Sequence, residues 1–458
     1  PMEIRPYIFK FGGTSLQTAE RIKEVVRIIA NYEGPLVVVT SALGGVTNKL
    51  AEATTNPASA PDISRQLFKH HMKIAGELGL SDKGLEEFED YLEATLGDVS
   101  ISRTAADVRR GELVLSVGER LSTELVARLL METGRKSKFI DSRDIVRTDS
   151  NWGSARVDMN ATGALVERTL EKPLMDKIVP VVTGFLGSTA GGDTTTIGRN
   201  GSDLTASVLG ACLDAPEVWI WTDVDGICTA DPRHHKNAKI LAEISFREAS
   251  EAAYFGASVL HPHTLWPLLD TEVAVRIKNT MNPAHEGTLV CANPKKRGAN
   301  LITTSIENVA VITVSGYGMA GIPGVAATIF TAVRDVSTNI LMISQSSAEH
   351  NITFIVNADE VSKTVKSLEV ALAEWIRRDH RIDRIKVVSD VAVVSVVGEN
   401  MRGRHGIAGK VFSALGNKGI NVIAIAQGSS EYSISAVLMM ADMRQAIEAI
   451  HSELDTNK

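Results

Sequence analysis

Short apolar runs alternate with helical periodicity from about residue 4 to residue 280. Residues 4–10 (IRPYIFK) read as a strand. Residues 18–32 read as a helix, because Ile22, Val25, Val26 and Ile29 recur on one face. PLVVVTS, residues 35–41, is apolar throughout its centre, as a strand buried on both faces would be. The alternation recurs in KIVPVVTGF before GSDLTASVLGACL, in EVWIWTD, and in AVRIKNT. Strands alternating with helices predict an α/β fold with a mostly parallel sheet covered by helices. Residues from about 55 to 110 are charged and helical in pattern, and read as an insertion on that core.

The texture changes near residue 300. A segment starting at Val309 is repeated from Val391, and Met319/Met401, Asn339/Asn421 and Gln345/Gln427 each stand 82 residues apart. Each copy reads strand, Gly-rich loop, helix, strand, loop, strand, helix, which predicts a small βαββαβ unit present twice. The boundary falls near CANPKKRGAN, with its Pro, Gly and basic cluster. The expected divisions are 1–298, 306–385 and 391–458.

Composition narrows the classes. The chain has 458 residues, 44% hydrophobic and 22% charged, with a net charge of −7. That balance, with no dense Lys/Arg stretch, argues against a nucleic-acid surface. Cys212, Cys228 and Cys291 are few, odd in number and far apart, which predicts a reducing, cytoplasmic setting without disulfides. No apolar run approaches the length of a membrane span. Glu3 and Arg5 interrupt any signal-like start.

Five stretches could carry chemistry. In KFGGTS, Lys10 ends a strand and Gly12 and Gly13 follow. Such glycines let phosphate approach backbone N–H groups, and the lysine would neutralise phosphoryl oxygens. The lysine precedes the glycines, unlike the usual phosphate loop, so a plain Gly-Gly turn explains the stretch too. In SALGGVTN, Ser41 and Thr47 flank Gly44 and Gly45, either to bind a carboxylate or to cap a helix. In GERLST, Glu119 opens an apolar-periodic helix, as a capping residue or as a receptor for an ammonium group. In GRNGSD, Arg199 offers a carboxylate fork, with Ser202 and Asp203 in the first turn of the next helix. A capped helix with a surface arginine is the alternative. In WTDVDGICTADPR the glycine spacing fails the EF-hand pattern; Thr222 and Asp223 at a strand end, with Arg233, suit a nucleotide better. His234, His235, His261 and His263 carry no metal-ligand spacing, and no metal site is expected from protein ligands alone.

Taken in order, KFGGTS, SALGGVTN, GER, GRNGSD, WTDVDG, TADPR, FGASVLHP and IKNT resemble the aspartate kinases of the amino-acid-kinase superfamily. The repeats with QSSAEHNI and QGSSEYSI resemble the paired ACT domains of that family. The resemblance implies a three-layer α-β-α kinase domain followed by two ferredoxin-like ACT units, one inserted in the other. It implies ATP-dependent phosphorylation of the L-aspartate side chain, the entry to lysine, threonine and methionine synthesis, with Mg²⁺ carried largely by ATP oxygens and water. The chain ends after the second ACT unit, without the dehydrogenase extension of fused relatives, so a monofunctional kinase is expected.

Residue by residue, the resemblance gives Lys10 the transferring phosphoryl group, and Asp203 the orientation of Lys10. Glu119 would take the substrate ammonium and Arg199 a substrate carboxylate, with hydrogen bonds from Ser41, Thr47 and Ser202. Gly12, Gly13, Thr222, Asp223, Cys228, Arg233 and Ser258 would line the ATP site. Ser258 stands where many relatives have a lysine, and Cys228 where a tyrosine is frequent, so weaker ATP binding or a compensating cation is expected. Asn339, Ile340 and Gln345, and Asn421, Val422 and Gln427, match amino-acid effector positions. The paired glutamines resemble threonine-sensitive members more than lysine-sensitive ones. Ala348 and His350 face Ser430 and Tyr432 in the second copy, so the two sites would differ. A homodimer or tetramer through the ACT units is implied. The competing readings are another kinase of this fold, acting on glutamate, carbamate or a nucleotide, and an amino-acid sensor without catalysis.

Overall fold

The computed structural model describes residues 4–100, 108–257, 260–295, 301–345, 350–378, 381–401, 403–427 and 432–454. They form two compact units. The first comprises Pro1–Ile227, Ile240–Phe246 and His261–Lys296; the second comprises Cys228–Lys239, Arg247–Leu260 and Arg297–Lys458. The chain therefore passes between units several times near residues 227–261 and again after Lys296.

The first unit carries strands β1 (Tyr7–Phe11), β2 (Leu36–Thr40), β3 (Ser137–Ile140), β4 (Val179–Thr183), β5 (Leu186–Ser188), β6 (Thr194–Thr196), β7 (Glu217–Thr222), β8 (Glu243–Ser245), β9 (Ala274–Asn279) and β10 (Thr288–Cys291). Its helices are α1 (Ala19–Ala30), α2 (Val46–Thr55), α3 (Ala60–Leu78), α4 (Asp82–Ser100), α5 (Val108–Glu132), α6 (Met159–Met175) and α7 (Gly201–Cys212); α8 (Phe246–Tyr254) begins here. The eight-stranded sheet runs β3-β4-β2-β1-β7-β9-β10-β8, parallel except where β10 meets β9. β2 and β4 are buried along their whole length, so their apolar runs serve both faces. Helices α1 and α5 share one apolar cluster with β1 and β2, and α6 and α7 pack together around β4 and β1.

The charged stretch expected as an insertion is helical, forming α3 and α4. It is no appendage: Leu67, Ile74, Phe88, Leu92 and Leu96 are buried in the main cluster. Their helical spacing turns one apolar face inward and leaves the charges outside. Phe9 stacks on Trp219 and Phe11 on Trp221, with ring centroids 4.7 and 5.7 Å apart.

The second unit carries β11 (Ile302–Ser315), β12 (Met342–Gln345), β13 (Asn351–Asn357), β14 (Arg384–Val397), β15 (Ala424–Gln427) and β16 (Ser433–Met439), with α9 (Val325–Asp335), α10 (Val361–Ala371), α11 (Ala373–Arg377), α12 (Ile407–Asn417) and α13 (Met443–Leu454). The sheet order is β12-β13-β11-β14-β16-β15. The long strands β11 and β14 pair along their whole length, with register shifts near Val309 and Val391. Asn308 (φ 56°) and Asp390 (φ 54°) take the left-handed conformation at the shift, which these two side chains tolerate better than most. Beyond it, the C-terminal half of β11 and the N-terminal half of β14 complete the first repeat; the other halves complete the second. The repeats are thus interleaved in space. Among the described residues, no helix is long and apolar enough to cross a membrane.

Candidate active site

In the first unit, β1, β2, β4, β7 and β9 all run parallel, so the turns that follow them gather along one edge of the sheet, where open α/β sheets bind ligands. Lys10 alternates with Phe9 and Phe11 along β1, so its side chain leaves the sheet on the opposite face from those rings. There the first turn of α7 supplies Asp203, and Lys10 Nζ lies 2.6 Å from Asp203 Oδ1. Both side chains are almost enclosed, at 11% and 13% exposure. Among the described residues Asp203 Oδ1 has no partner of good hydrogen-bond geometry, so its attraction to Lys10 is chiefly Coulombic.

Glycines shape the floor. A Cβ on Gly12 would stand 3.0 Å from Lys10 Nζ, and one on Gly13 would stand 3.4 Å from the carbonyl oxygen of Ala42. The turns after β1 and β2 therefore lie against one another. After β4, a Cβ on Gly184 would fall 2.5 Å from Ser202 Oγ. Gly184 lets α7 approach, and with it Ser202 and Asp203.

Glu119 is 3% exposed. It was expected in the first turn of a helix, but α5 starts at Val108 and Glu119 lies in its middle. The helix runs on through Gly111 and Gly118, so capping is no longer an explanation for the glutamate. Its carboxyl accepts a hydrogen bond from the Ala42 backbone amide, and Oε2 has no partner among the described residues. Burial pushes its pKa up to about 8, partly opposed by that amide. The same helix fixes the end of β2: Ser122 Oγ donates to Ser41 O (2.5 Å), and the Thr40 and Thr123 hydroxyls meet at 2.6 Å. Thr47 is half-buried in the first turn of α2, whose cap, Gly45, has φ 82°.

Arg199 is exposed in the turn before α7. His261 lies close enough to feel it: burial, His263 and Arg199 all hold the His261 pKa below the ordinary imidazole value, against Asp203. His261 was weighed in the sequence only as a metal ligand; its signal was its place in FGASVLHP. Glu112, one helix face with Glu119 and two turns upstream, was not anticipated. It is 3% exposed and accepts the backbone N–H groups of Thr196 and Gly153. That bond holds β6, which leads directly to Arg199.

At the end of β7, Thr222 Oγ1 donates to Asp223 Oδ1 (3.2 Å), and Asp223 is exposed. Thr222 O accepts the Thr280 N–H (2.9 Å), and the Thr280 hydroxyl meets Ser15 Oγ at 2.8 Å. Two expected ATP-site residues, Cys228 and Arg233, belong to the second unit. Cys228 is half-buried there, and Arg233 is forked onto Asp231 at 2.6–3.1 Å. Ser258, Ala348 and Ser430 lie outside the described residues. Among the described residues no group of three or more His, Cys, Asp or Glu gathers as a metal cluster.

The effector positions occupy equivalent places in the two repeats. Asn339 and Ile340 precede β12, and Asn421 and Val422 precede β15; Gln345 and Gln427 end those strands, both exposed. β12 and β15 are the two edges of the sheet, and Ser344 Oγ donates to Ile425 O (3.0 Å).

Comparison with known proteins adds to this geometry. The amino acid kinase family matches residues 6–279, and the ACT domain matches 312–372 and 394–454. The chain is 34% identical over 466 residues to the chloroplastic bifunctional aspartokinase/homoserine dehydrogenase 2 of Arabidopsis thaliana, covering 97% of this chain and 50% of that protein. It spans about half the length of such bifunctional relatives. It is 32% identical over 473 residues to the chloroplastic aspartokinase 2 of the same plant, covering 97% of this chain and 83% of the other. E. coli aspartokinase III is similar in two crystal structures. Its complex with aspartate and ADP (R-state) has TM-score 0.80, 28% identity, and 98% and 99% coverage. Its complex with lysine and aspartate (T-state) has TM-score 0.84, 27% identity and the same coverage.

Proposed function

The chain belongs to the amino acid kinase family and, within it, to the aspartokinases, and from that membership we propose that it transfers the γ-phosphoryl group of ATP to the side-chain carboxylate of L-aspartate. The products are 4-phospho-L-aspartate and ADP, at the entry to lysine, threonine and methionine synthesis. The observation that carries the reading is the enclosed Lys10–Asp203 pair at the end of β1, in a unit that also buries the carboxyl of Glu119. A carboxylate is already a nucleophile, so the site needs no strong base. It must bring two anions together, and like charges about 4 Å apart repel by about 4 kcal/mol at an effective dielectric of 20. Lys10 screens that repulsion as the phosphoryl group moves, and Asp203 holds the ammonium on its side of the sheet. Glu119, once ionised, receives the substrate ammonium; Arg199 takes the α-carboxylate; Ser41, Thr47 and Ser202 complete the cradle. Gly12 and Gly13 leave backbone N–H groups open to phosphate, and Thr222 and Asp223 serve the nucleotide. Asp223, an exposed oxygen donor at a strand end, suits Mg²⁺, which keeps phosphate and water ligands and neutralises phosphate charge.

Feedback control enters through the two repeats. E. coli aspartokinase III was crystallised with lysine. Here Gln345 and Gln427 favour threonine over lysine as the effector. Pairing of two copies through the ACT edges would cover β12 and β15, where Ile343 and Ile425 are exposed, giving a homodimer or a tetramer.

A hydroxamate assay tests the reading. Aspartate with ATP should give product, and glutamate, carbamate and nucleotide acceptors should not. Millimolar threonine should inhibit more strongly than lysine. No turnover with aspartate, or a preference for another acceptor, would overturn the assignment.

A further inference from the structure

The IKNT motif has no part in the chemistry above, yet its threonine ties together both nucleotide-side loops. In the sheet, β9 lies two strands from β1, with β7 between them, a gap of roughly 10 Å at the usual strand spacing. Ser15, just past β1, nevertheless meets Thr280, just past β9, through hydroxyls 2.8 Å apart. The glycine turn must lean over the end of β7 to make this contact. Both residues are only 2% exposed. Each hydroxyl is the other's buried partner, where an apolar pair would have packed as well.

Thr280 holds β7 as well, by its backbone N–H to Thr222 O at 2.9 Å. Ser15 N in turn donates to Gly12 O at 3.0 Å, closing the glycine turn. The next residues are pinned from below. Asn279 Nδ2 and Asn282 Nδ2 both donate to Asp225 Oδ1, at 2.8 and 3.1 Å, and Asn279 Oδ1 accepts the Met281 N–H at 2.9 Å. Lys278 Nζ donates to the Pro283 carbonyl at 3.0 Å. Thr280 is thus the outermost member of a rigid strand end, with one bond to each of two loops.

We propose that Thr280, acting through Ser15 and Thr222, is a positioning residue for the nucleotide: it sets the spacing between the Gly12–Ser15 turn and the Thr222–Asp223 turn. The inference rests on the reading of these turns as the ATP site. It assigns Thr280 no contact with the acceptor, so its effect should fall on nucleotide affinity alone.

Thr280→Val keeps the side-chain shape and removes the hydroxyl. The expected result is a roughly tenfold rise in the KM for ATP and in the Kd for ADP by calorimetry, with the KM for aspartate within about twofold. Thr280→Ser should restore both. Ser15→Ala should copy Thr280→Val, and the double variant should be no worse than either single change. An unchanged Kd for ADP, an equal rise in the aspartate KM, or failure of the serine variant to restore binding would overturn the proposal. If the valine variant does not fold, Ser15→Ala decides by the same criteria. A parent protein that binds ADP without phosphorylating aspartate would refute the proposed reaction, while the ADP titration would still decide the role of Thr280.

Discussion

Lys10 Nζ lies 2.6 Å from Asp203 Oδ1, a strand end and a helix start brought together from distant parts of the first unit. Removing either partner has a distinct consequence. Lys10→Ala should lower kcat by about a hundredfold or more, as loss of a preorganised charge does. Asp203→Asn leaves a nearly enclosed ammonium without its counter-charge, and should cost about 3 kcal/mol of stability as well as activity. Lys10→Arg should not rescue, because a planar guanidinium does not replace a compact ammonium held 2.6 Å from Asp203 in a nearly enclosed place. Steady-state kinetics and urea melts check all three; an Asp203→Asn enzyme with parental kcat would remove Asp203 from the mechanism.

Glu119 supplies a pH signature. Its pKa is pushed up to about 8 by burial, so the empty site holds a neutral carboxyl at pH 7. Binding an ammonium group needs the ionised form. Affinity for aspartate should therefore rise as pH climbs towards about 8, and level off above it. The stability effect has the opposite sign. An acid whose pKa is raised on folding favours the native state below its unfolded value of 4.5, and that contribution is lost as pH rises through about 8. Glu119→Gln should flatten both profiles while binding aspartate poorly at every pH. Aspartate KM and thermal melts across pH 6 to pH 9 make the comparison.

Glu112 predicts a selective defect. Its carboxylate accepts the Thr196 and Gly153 amides, and it is buried on the same helix as Glu119. Glu112→Ala strands the buried Thr196 N–H, at a cost of about 2 kcal/mol, and frees the strand that presents Arg199. The aspartate KM should rise about tenfold, with the ATP KM unchanged. Glu112→Gln retains an acceptor oxygen and should recover most of the loss. Equal rises in both KM values would show that Glu112 supports the fold generally.

Much of this was legible along the chain. LVVVT and VPVVT could be read as buried parallel strands because no polar residue interrupts them. The repeat announced itself through a constant offset, which even Asn308 and Asp390 obey at the two shifts in register. What could not be read depended on distant partners. Nothing local marks Thr280 as the partner of Ser15, or Glu112 as the acceptor for β6, because each bond joins segments far apart in sequence. Glu119 was placed at a helix start because Gly118 stands just before it and an apolar period follows, although α5 begins at Val108. The Arg233–Asp231 fork is the converse case: a local i, i+2 pair that TADPR spells out and the sequence reading did not single out.

The two repeats meet α8 through unlike contacts, which gives the difference between them a mechanism. Arg247 Nη1 donates to the Tyr432 hydroxyl at 2.9 Å, with the guanidinium 5.8 Å from the ring centre, and Glu248 Oε1 accepts the Glu399 N–H at 2.8 Å. At the other end of the helix, Tyr254 donates to Leu341 O at 3.0 Å, next to Asn339 and Ile340. The counterpart of Tyr432 in the first repeat is His350, whose ring packs against Tyr317 instead, with centroids 5.0 Å apart. Rearrangement around Gln427 is thus felt by α8 through Tyr432 and Arg247, and rearrangement around Gln345 through the Leu341 carbonyl. Tyr432→Phe, which removes the hydrogen bond and keeps the ring, should raise the effector concentration for half-inhibition about fivefold. Arg247→Ala, which also removes the cation above the ring, should raise it further. His350→Ala should change it less than twofold. Uninhibited kcat and both KM values should stay within about twofold in all three variants. Inhibition curves for threonine and lysine measure this ordering; an unaltered curve for Arg247→Ala would take α8 out of the route from effector to active site.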